Sequence, residues 1–436
     1  MRILSSDVAK HVGETVRIQG WLHKKRLLGG LTFIAVRDRG GLTQVVLQDK
    51  DEVEKLRGMQ IGTVLAVDGK AVEEPRAPGG AELHEAAVTV LVPVIDESPI
   101  EIDKPISHKP ENLDTLFEYR VIGLRNLHER AIFTIQSAVG RALREFFYQE
   151  GFTEIRTPKL LAAATEGGAE VFKFDYFGRE ATLAQSPQFY KQIMVGVFER
   201  VFEIAPVYRA EPSATTRHMT EYISVDGEMG FIEINELKGT LSRLLNFVSD
   251  YIWQHHEAEL KMLGAVKPQL TAELPSMSMA EIHERYSKAT GQNSVGEKDM
   301  RPDEEKWICE YAQKELGSEA IFVTDWPASE MKFYHKAQPG NPELADRIDL
   351  LFRGVEIVTG SMRENDYAVV LKQLQEKAGG NPEDPGFKPL LMAMQAGMPP
   401  HGGFGMGLER VLQKFLGLAN VKEASLFPRD INRLAP

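Results

Sequence analysis

The sequence predicts an α+β protein in two parts, a small N-terminal β-barrel and a larger domain built on an antiparallel sheet flanked by helices. Three observations carry this expectation. Short β-branched runs punctuated by glycine fill the first part of the chain. A stretch rich in proline and charge, SPIEIDKPISHKPENLD, follows them. Beyond it, helical periodicity alternates with hairpin-like strands, without repeating βαβ units. A chain of 436 residues exceeds the size at which a single core stops growing. The expected division is 1–97, a linker or hinge at 98–122, and 123–436.

Four strands are expected at Val16 to Leu22, Leu31 to Asp38, Leu42 to Gln48 and Thr63 to Val72. A fifth, Ala86 to Ile95, follows the turn-forming EEPRAPGG. Five strands with one helical interruption, DKDEVEKLRGM, fit an OB-fold or another small barrel. The run HKKRLLGG, from His23 to Gly30, reads as a basic loop placed to meet phosphates. In the second part, Leu127 to Gln149 has helical spacing and ends before Gly151, a suitable C′ residue. The segments Ser287 to Glu304 and Gly379 to Phe387 read as loops.

The 43% apolar, 26% charged composition is that of an ordinary globular protein, and no apolar run is long enough to span a bilayer. A net charge of −12 argues against non-specific coating of nucleic acid but leaves local basic patches open. The single cysteine, Cys309, excludes an intrachain disulfide and a Cys-based zinc site. MRILSSDVAK lacks the apolar core of a secretory leader, so a cytoplasmic location is expected.

Three segments carry chemistry. GFTEIRTPKL (151–160) is a helix end followed by a strand broken at Pro158. FEIAPVYRAEPSATTRHMTEYISVDGEM (202–229) reads as strand, loop and strand. Its second strand carries Asp226 and Glu228 on one face, which needs either solvent or a cation between them. GFGMGLERVLQKFLG (403–417) leads a glycine-rich strand into a helix bearing Arg410. No P-loop or dinucleotide fingerprint is present.

In this order the three segments resemble the signature motifs of class II aminoacyl-tRNA synthetases. LAQSPQFYKQ, TEGGAEVF, DLLFRGVEIVTGSMR and GFGMGLER narrow the resemblance to aspartyl-tRNA synthetases of the compact archaeal and eukaryotic kind, from Val12 onward. The resemblance implies ATP-dependent activation of L-aspartate and its transfer to tRNA(Asp). Transfer to tRNA(Asn) as well stays open, because no motif decides it. By the resemblance, Arg209 holds the α-phosphate and the substrate carboxylate, and Arg217 and His218 reach the distal phosphates. Tyr222 and Arg410 sandwich the adenine, and Glu221 bonds its amino group. Glu211, Met219, Glu356 and Gly407 complete the ATP site. Lys191 and Arg363 take the aspartate side chain, with Glu170, Gln188, Asp226 and Thr359 around the remainder. Asp349 and Glu356 hold Mg²⁺. Phe33 and Gln44 read the anticodon, and Pro158 belongs to a homodimer interface. Thr359 stands where the family usually has serine, GSMR replaces GAQR, and Gly123 replaces an aspartate. The competing readings are an asparaginyl-tRNA synthetase, a paralogue making asparagine from aspartate, and a catalytically dead RNA-binding paralogue.

Overall fold

The computed structural model describes residues 2–28, 31–162, 170–212, 215–378 and 380–435. The chain divides into two compact units, Met1–Arg130 and Ala131–Pro436.

The first unit is a closed five-stranded barrel: β1 (Thr15–Leu28), β2 (Leu31–Asp38), β3 (Gly41–Leu47), β4 (Val64–Glu73) and β5 (Ala81–Val92), in the order β1-β2-β3-β5-β4. Helix α1 (Lys50–Arg57) interrupts it, capped by Asp49, whose carboxylate accepts the backbone N–H groups of Asp51 and Glu52. Alternation along the strands sends Ile18, Leu22, Ile34, Val36, Val45, Leu65 and Val67 into one core. β5 begins at Ala81, earlier than its apolar run suggests, because Glu82, itself buried, and His84 alternate with the core residues Ala81 and Leu83 within a paired strand.

The basic run corrects the sequence reading: His23 to Leu28 continue β1, paired with β2 from Lys24 opposite Ala35 to Leu28 opposite Leu31. The Lys25 ammonium donates to the carbonyls of Leu56, Arg57 and Met59, so it ties the ribbon to the end of α1. Lys24 and Arg26 remain exposed; Gly29 and Gly30 lie outside the described residues. The 98–122 stretch contains one short helix, Leu113–Glu118, and runs into a second, Arg120–Gly123.

The second unit is organised by an eight-stranded sheet. Helix α2 (Leu127–Gln149) leads to β6 (Thr153–Glu154), with Gly151 at φ +79° stopping the helix. Then come α3 (Gln188–Phe198), β7 (Arg200–Tyr208), β8 (Glu221–Gly230) and α4 (Ile234–His255). β9 (Ser276–Ser278), β10 (Ala320–Thr324), β11 (Arg347–Phe352), β12 (Val355–Arg363), β13 (His401–Gly407) and α5 (Leu408–Leu416) complete it. The order is β9-β10-β11-β12-β13-β8-β7-β6, antiparallel except at its two edge pairs. One face packs on α2, α4 and α5 through Val139, Phe147, Leu241, Leu245 and Phe415, each fully buried side chain contributing roughly 1.5–3 kcal/mol. Ser287 to Thr290 and Pro302 to Glu304, expected as loop, belong to the helices Met279–Thr290 and Pro302–Leu316. Cys309 is buried in the latter, and burial pushes its thiol up to about 12, so it is an inert core residue. No helix among the described residues is long and apolar enough to cross a membrane.

Candidate active site

The opposite face of the sheet is polar by register. Glu203 stands opposite Asp226, Asp226 opposite Gly405, Gly405 opposite Thr359, and Thr359 opposite Asp349. One row thus crosses five strands, with a glycine at its middle keeping the floor clear of side chains. The neighbouring row runs Glu228, Gly403, Ser361, Arg347. In β8 the alternation is strict: Val225 and Met229 enter the core, while Ser224, Asp226 and Glu228 face the other way.

Asp226 and Glu228 are not a solvated face. Both are buried beneath α3, from which Lys191 reaches them. The Lys191 ammonium donates to Asp226 Oδ1 at 2.9 Å and to the Phe404 carbonyl at 2.8 Å, and lies 3.5 Å from Glu228 Oε2. Arg363 forks onto Glu228 at 2.7 and 3.1 Å and donates to Ser361 Oγ at 2.6 Å. Ser224 Oγ donates to Asp226 Oδ2 at 2.5 Å. Two cations and two anions therefore close a buried network, the arrangement that makes burial of charge tolerable. Burial would raise the Glu228 carboxyl, yet Arg363 and Lys191 hold it below the usual range.

This network forms one end of a cavity of about 270 Å³. Gln188, Lys191, Arg209, Glu211, Arg217, His218, Met219, Tyr222, Asp226, Glu356, Thr359, Arg363, Gly407 and Arg410 all line it, so the structure gathers most of the residues singled out in the sequence. The Arg209 guanidinium lies 5.8 Å from the Tyr222 ring centroid. Arg217 donates to Glu305 at 2.8 Å, and Arg410 donates to the Glu356 carbonyl at 3.1 Å. The His218 imidazole is held below its ordinary value by burial and by the Arg410 charge, so it is neutral at pH 7.

Three residues expected in the ATP, aspartate and Mg²⁺ sites do not line the cavity. Glu170 is exposed, with φ +56°, and its carbonyl accepts the Ala210 N–H; Thr165 to Ala169 of TEGGAEVF lie outside the described residues, as do Ser213 and Ala214. Glu221 is exposed at the start of β8. Asp349 is buried beside Arg347, which donates to it at 2.7 and 3.2 Å. Its carboxyl is pushed up to about 7, chiefly by burial, with Arg347 opposing and the Glu356 charge adding. Glu356 accepts from Thr359 Oγ1 at 3.0 Å and faces the cavity. Two carboxylates that repel across one hairpin form an oxygen donor set that a hard dication would join, so Asp349 and Glu356 fit Mg²⁺.

The cavity also contains residues that the sequence did not single out: Gln185, Ser224, Lys332, Tyr334, His335, Arg347 and Glu409. His335 is buried, and its imidazole is held well below the ordinary value by burial and the Arg363 charge. Two signals were available: Glu409 lies inside GLER, and Arg347 shares a strand face with Asp349. In the barrel, Phe33 and Gln44 share one face, diagonal to each other across β2 and β3. Phe33 is half-buried, outside the apolar core, and the Gln44 amide donates to Glu82 at 2.6 Å. Pro158 is exposed between β6 and the short strand Leu160–Leu161.

The fold and this cavity define a class II tRNA synthetase. The family described as tRNA synthetases class II (D, K and N) matches residues 112–431, and the OB-fold nucleic acid binding domain matches 16–93. The chain belongs to that class, and within it to the aspartate–tRNA ligases. It is 40% identical to the aspartate–tRNA(Asp/Asn) ligase of Deinococcus radiodurans, covering 100% of this chain and 99% of the relative. It is also 40% identical to the aspartate–tRNA(Asp) ligase of Pyrococcus horikoshii, covering 99% of each. Among solved structures, the asparaginyl-tRNA synthetase of Pyrococcus horikoshii with asparaginyl-adenylate superposes at TM-score 0.91, 29% identical, over all of both chains. The aspartyl-tRNA synthetase of Entamoeba histolytica gives 0.86, 26% identical, over 100% of this chain and 93% of that one.

Proposed function

We propose that this chain activates L-aspartate with ATP and transfers it to tRNA(Asp), in two steps within this one cavity. The observation that carries the choice of amino acid is the pair of buried cations, Lys191 and Arg363, at one end of a cavity whose other wall bears Arg209, Arg217 and Arg410. A substrate side-chain carboxylate gains from two fixed cations; a neutral amide gains far less.

In the first step a carboxylate oxygen of aspartate attacks the α-phosphorus, the bond to the β-phosphate oxygen breaks, and pyrophosphate leaves. Arg209 sits against the α-phosphate and stabilises its developing charge. Arg217 and His218 hold the distal phosphates, and Tyr222 and Arg410 flank the adenine. Glu211, Met219, Glu221 and Gly407 complete the ATP site. Gln188, Glu170 and Asp226 hold the amino and carboxylate ends of the aspartate, with Thr359 shaping the pocket beside them. Asp349 and Glu356 would hold Mg²⁺, which would supply positive charge against the phosphates. In the second step the terminal 3′-OH of tRNA attacks the acyl carbon, AMP leaves, and an ester forms. The catalytic contribution is positioning and charge stabilisation.

In the barrel, Phe33 stacks on an anticodon base and Gln44 bonds a base edge, the mode by which single-stranded loops are read. The working form is a homodimer with Pro158 in its interface, and the compartment is the cytoplasm. Aspartylation of tRNA(Asp) and tRNA(Asn) transcripts, side by side, tests the reading. Charging of tRNA(Asp) alone gives a dedicated ligase, and charging of both gives the double acceptor range that the Deinococcus relative's name states. Charging of neither refutes the proposal.

A further inference from the structure

In the first unit, three side chains converge on a buried carboxylate. Glu129 is fully buried in the first turn of α2. Its Oε2 accepts from Arg120, itself completely buried, at 2.6 Å. That contact fixes the carboxylate plane and turns Oε1 toward two imidazoles. His108 Nε2 lies 2.6 Å from Oε1 and His128 Nδ1 lies 3.7 Å from it. All three donor atoms fall within 4.8 Å of one another, and the imidazole centroids are 5.0 Å apart. His108 and His128 are 21% and 30% exposed, so an ion in solution can reach the carboxylate between them.

We propose that His108, His128 and Glu129 form a binding site for a transition-metal dication of the zinc type, separate from the Mg²⁺ of the ATP site. Two imidazole nitrogens and one carboxylate oxygen form a donor set typical of Zn²⁺ with an open fourth position. Tetrahedral bonds of about 2.0–2.1 Å place donor atoms roughly 3.3 Å apart. The observed separations of 2.6 and 3.7 Å bracket that value, so side-chain rotation alone seats the ion. Arg120 is the outer partner that orients a ligating carboxylate. Hard-oxygen chemistry does not fit here: with two nitrogen donors, Mg²⁺ is a poor occupant. The bound ion would clip the His108 segment to the start of α2.

The test uses the full-length protein, stripped with a chelator and kept free of ATP. Titration with Co²⁺, followed by its visible absorption, is expected to show one ion per chain with the intense bands of low coordination number. Zn²⁺ should displace it, and excess Mg²⁺ should not. His108→Gln and His128→Gln, at partly exposed positions, should each weaken Co²⁺ binding at least about tenfold, with circular dichroism and aspartate-dependent exchange unchanged. The proposal is overturned if the wild type takes up no Co²⁺ or Zn²⁺, if the double variant binds as well as the wild type, or if Mg²⁺ displaces the Co²⁺. Should Glu129→Gln fail to fold, the two histidine variants still decide the matter.

Discussion

At the scale of single residues, the cavity is defined by charges whose partners are known. Arg209→Ala removes the cation assigned to the α-phosphate, and aspartate-dependent ATP–pyrophosphate exchange should fall by at least about 10²-fold; near wild-type exchange would remove Arg209 from that role. Lys191→Ala should raise the KM for aspartate in the same assay while leaving the KM for ATP almost unchanged. Glu409 gives a pH prediction. Its carboxylate accepts the Ile223 N–H at 3.1 and 3.2 Å, and burial raises it from 4.5 to about 7. Between those values the folded chain keeps a proton that the unfolded chain has released, so this group makes stability fall as pH rises from 4.5 to 7. Glu409→Gln should therefore be more stable than wild type above pH 7, and equal to it near pH 4.5, in urea denaturation at the two pH values. The sequence brought out residues whose chemistry sits in a recognisable run, such as Arg209 and Lys191. It passed over Lys332 and His335, which reach the cavity only because the strap carrying them folds back beside β12, with His335 bridged to Arg363.

At the scale of elements, the glycines of β13 determine how closely β8 and β12 approach. A Cβ at Gly403 would fall 2.3 Å from the Gly227 carbonyl oxygen and 2.0 Å from Glu228 Oε2. Gly403→Ala should lower Tm and raise the KM for aspartate together, since the atom it displaces holds Arg363; a loss of stability without any change in KM would separate the strand from the pocket. Strands with one buried face were legible from their alternation, as β2 shows at Leu31–Asp38. The His23–Leu28 ribbon was not, because both its faces carry polar or exposed residues and the period-2 signal vanishes. The polar row from Glu203 to Asp349 was also illegible: it is a property of register among five strands distant in sequence, and no local pattern encodes it.

At the scale of the whole molecule, two units divide the labour of recognition and chemistry. Phe33→Ala should depress aspartylation of tRNA while leaving exchange at wild-type level, because exchange needs only the second unit; an equal fall in both would place Phe33 outside anticodon reading. The net charge of −12 has a corollary. On an acidic body, exposed basic positions such as Lys24 and Arg26 are the expected tRNA contacts; on that reading the KM for tRNA should climb steeply with added salt and the KM for aspartate should not.

The closed quartet of Lys191, Asp226, Arg363 and Glu228 also constrains how this protein can change over time. Because each charge balances another that is buried, replacing one member strands its partner, at a cost of about 3–5 kcal/mol. Variation at these four positions must therefore move in compensating steps. A laboratory search for altered amino acid preference that samples one position at a time will return unstable proteins, whereas paired libraries at Lys191 with Asp226, or Arg363 with Glu228, keep the ledger of buried charge level and reach variants that single steps cannot.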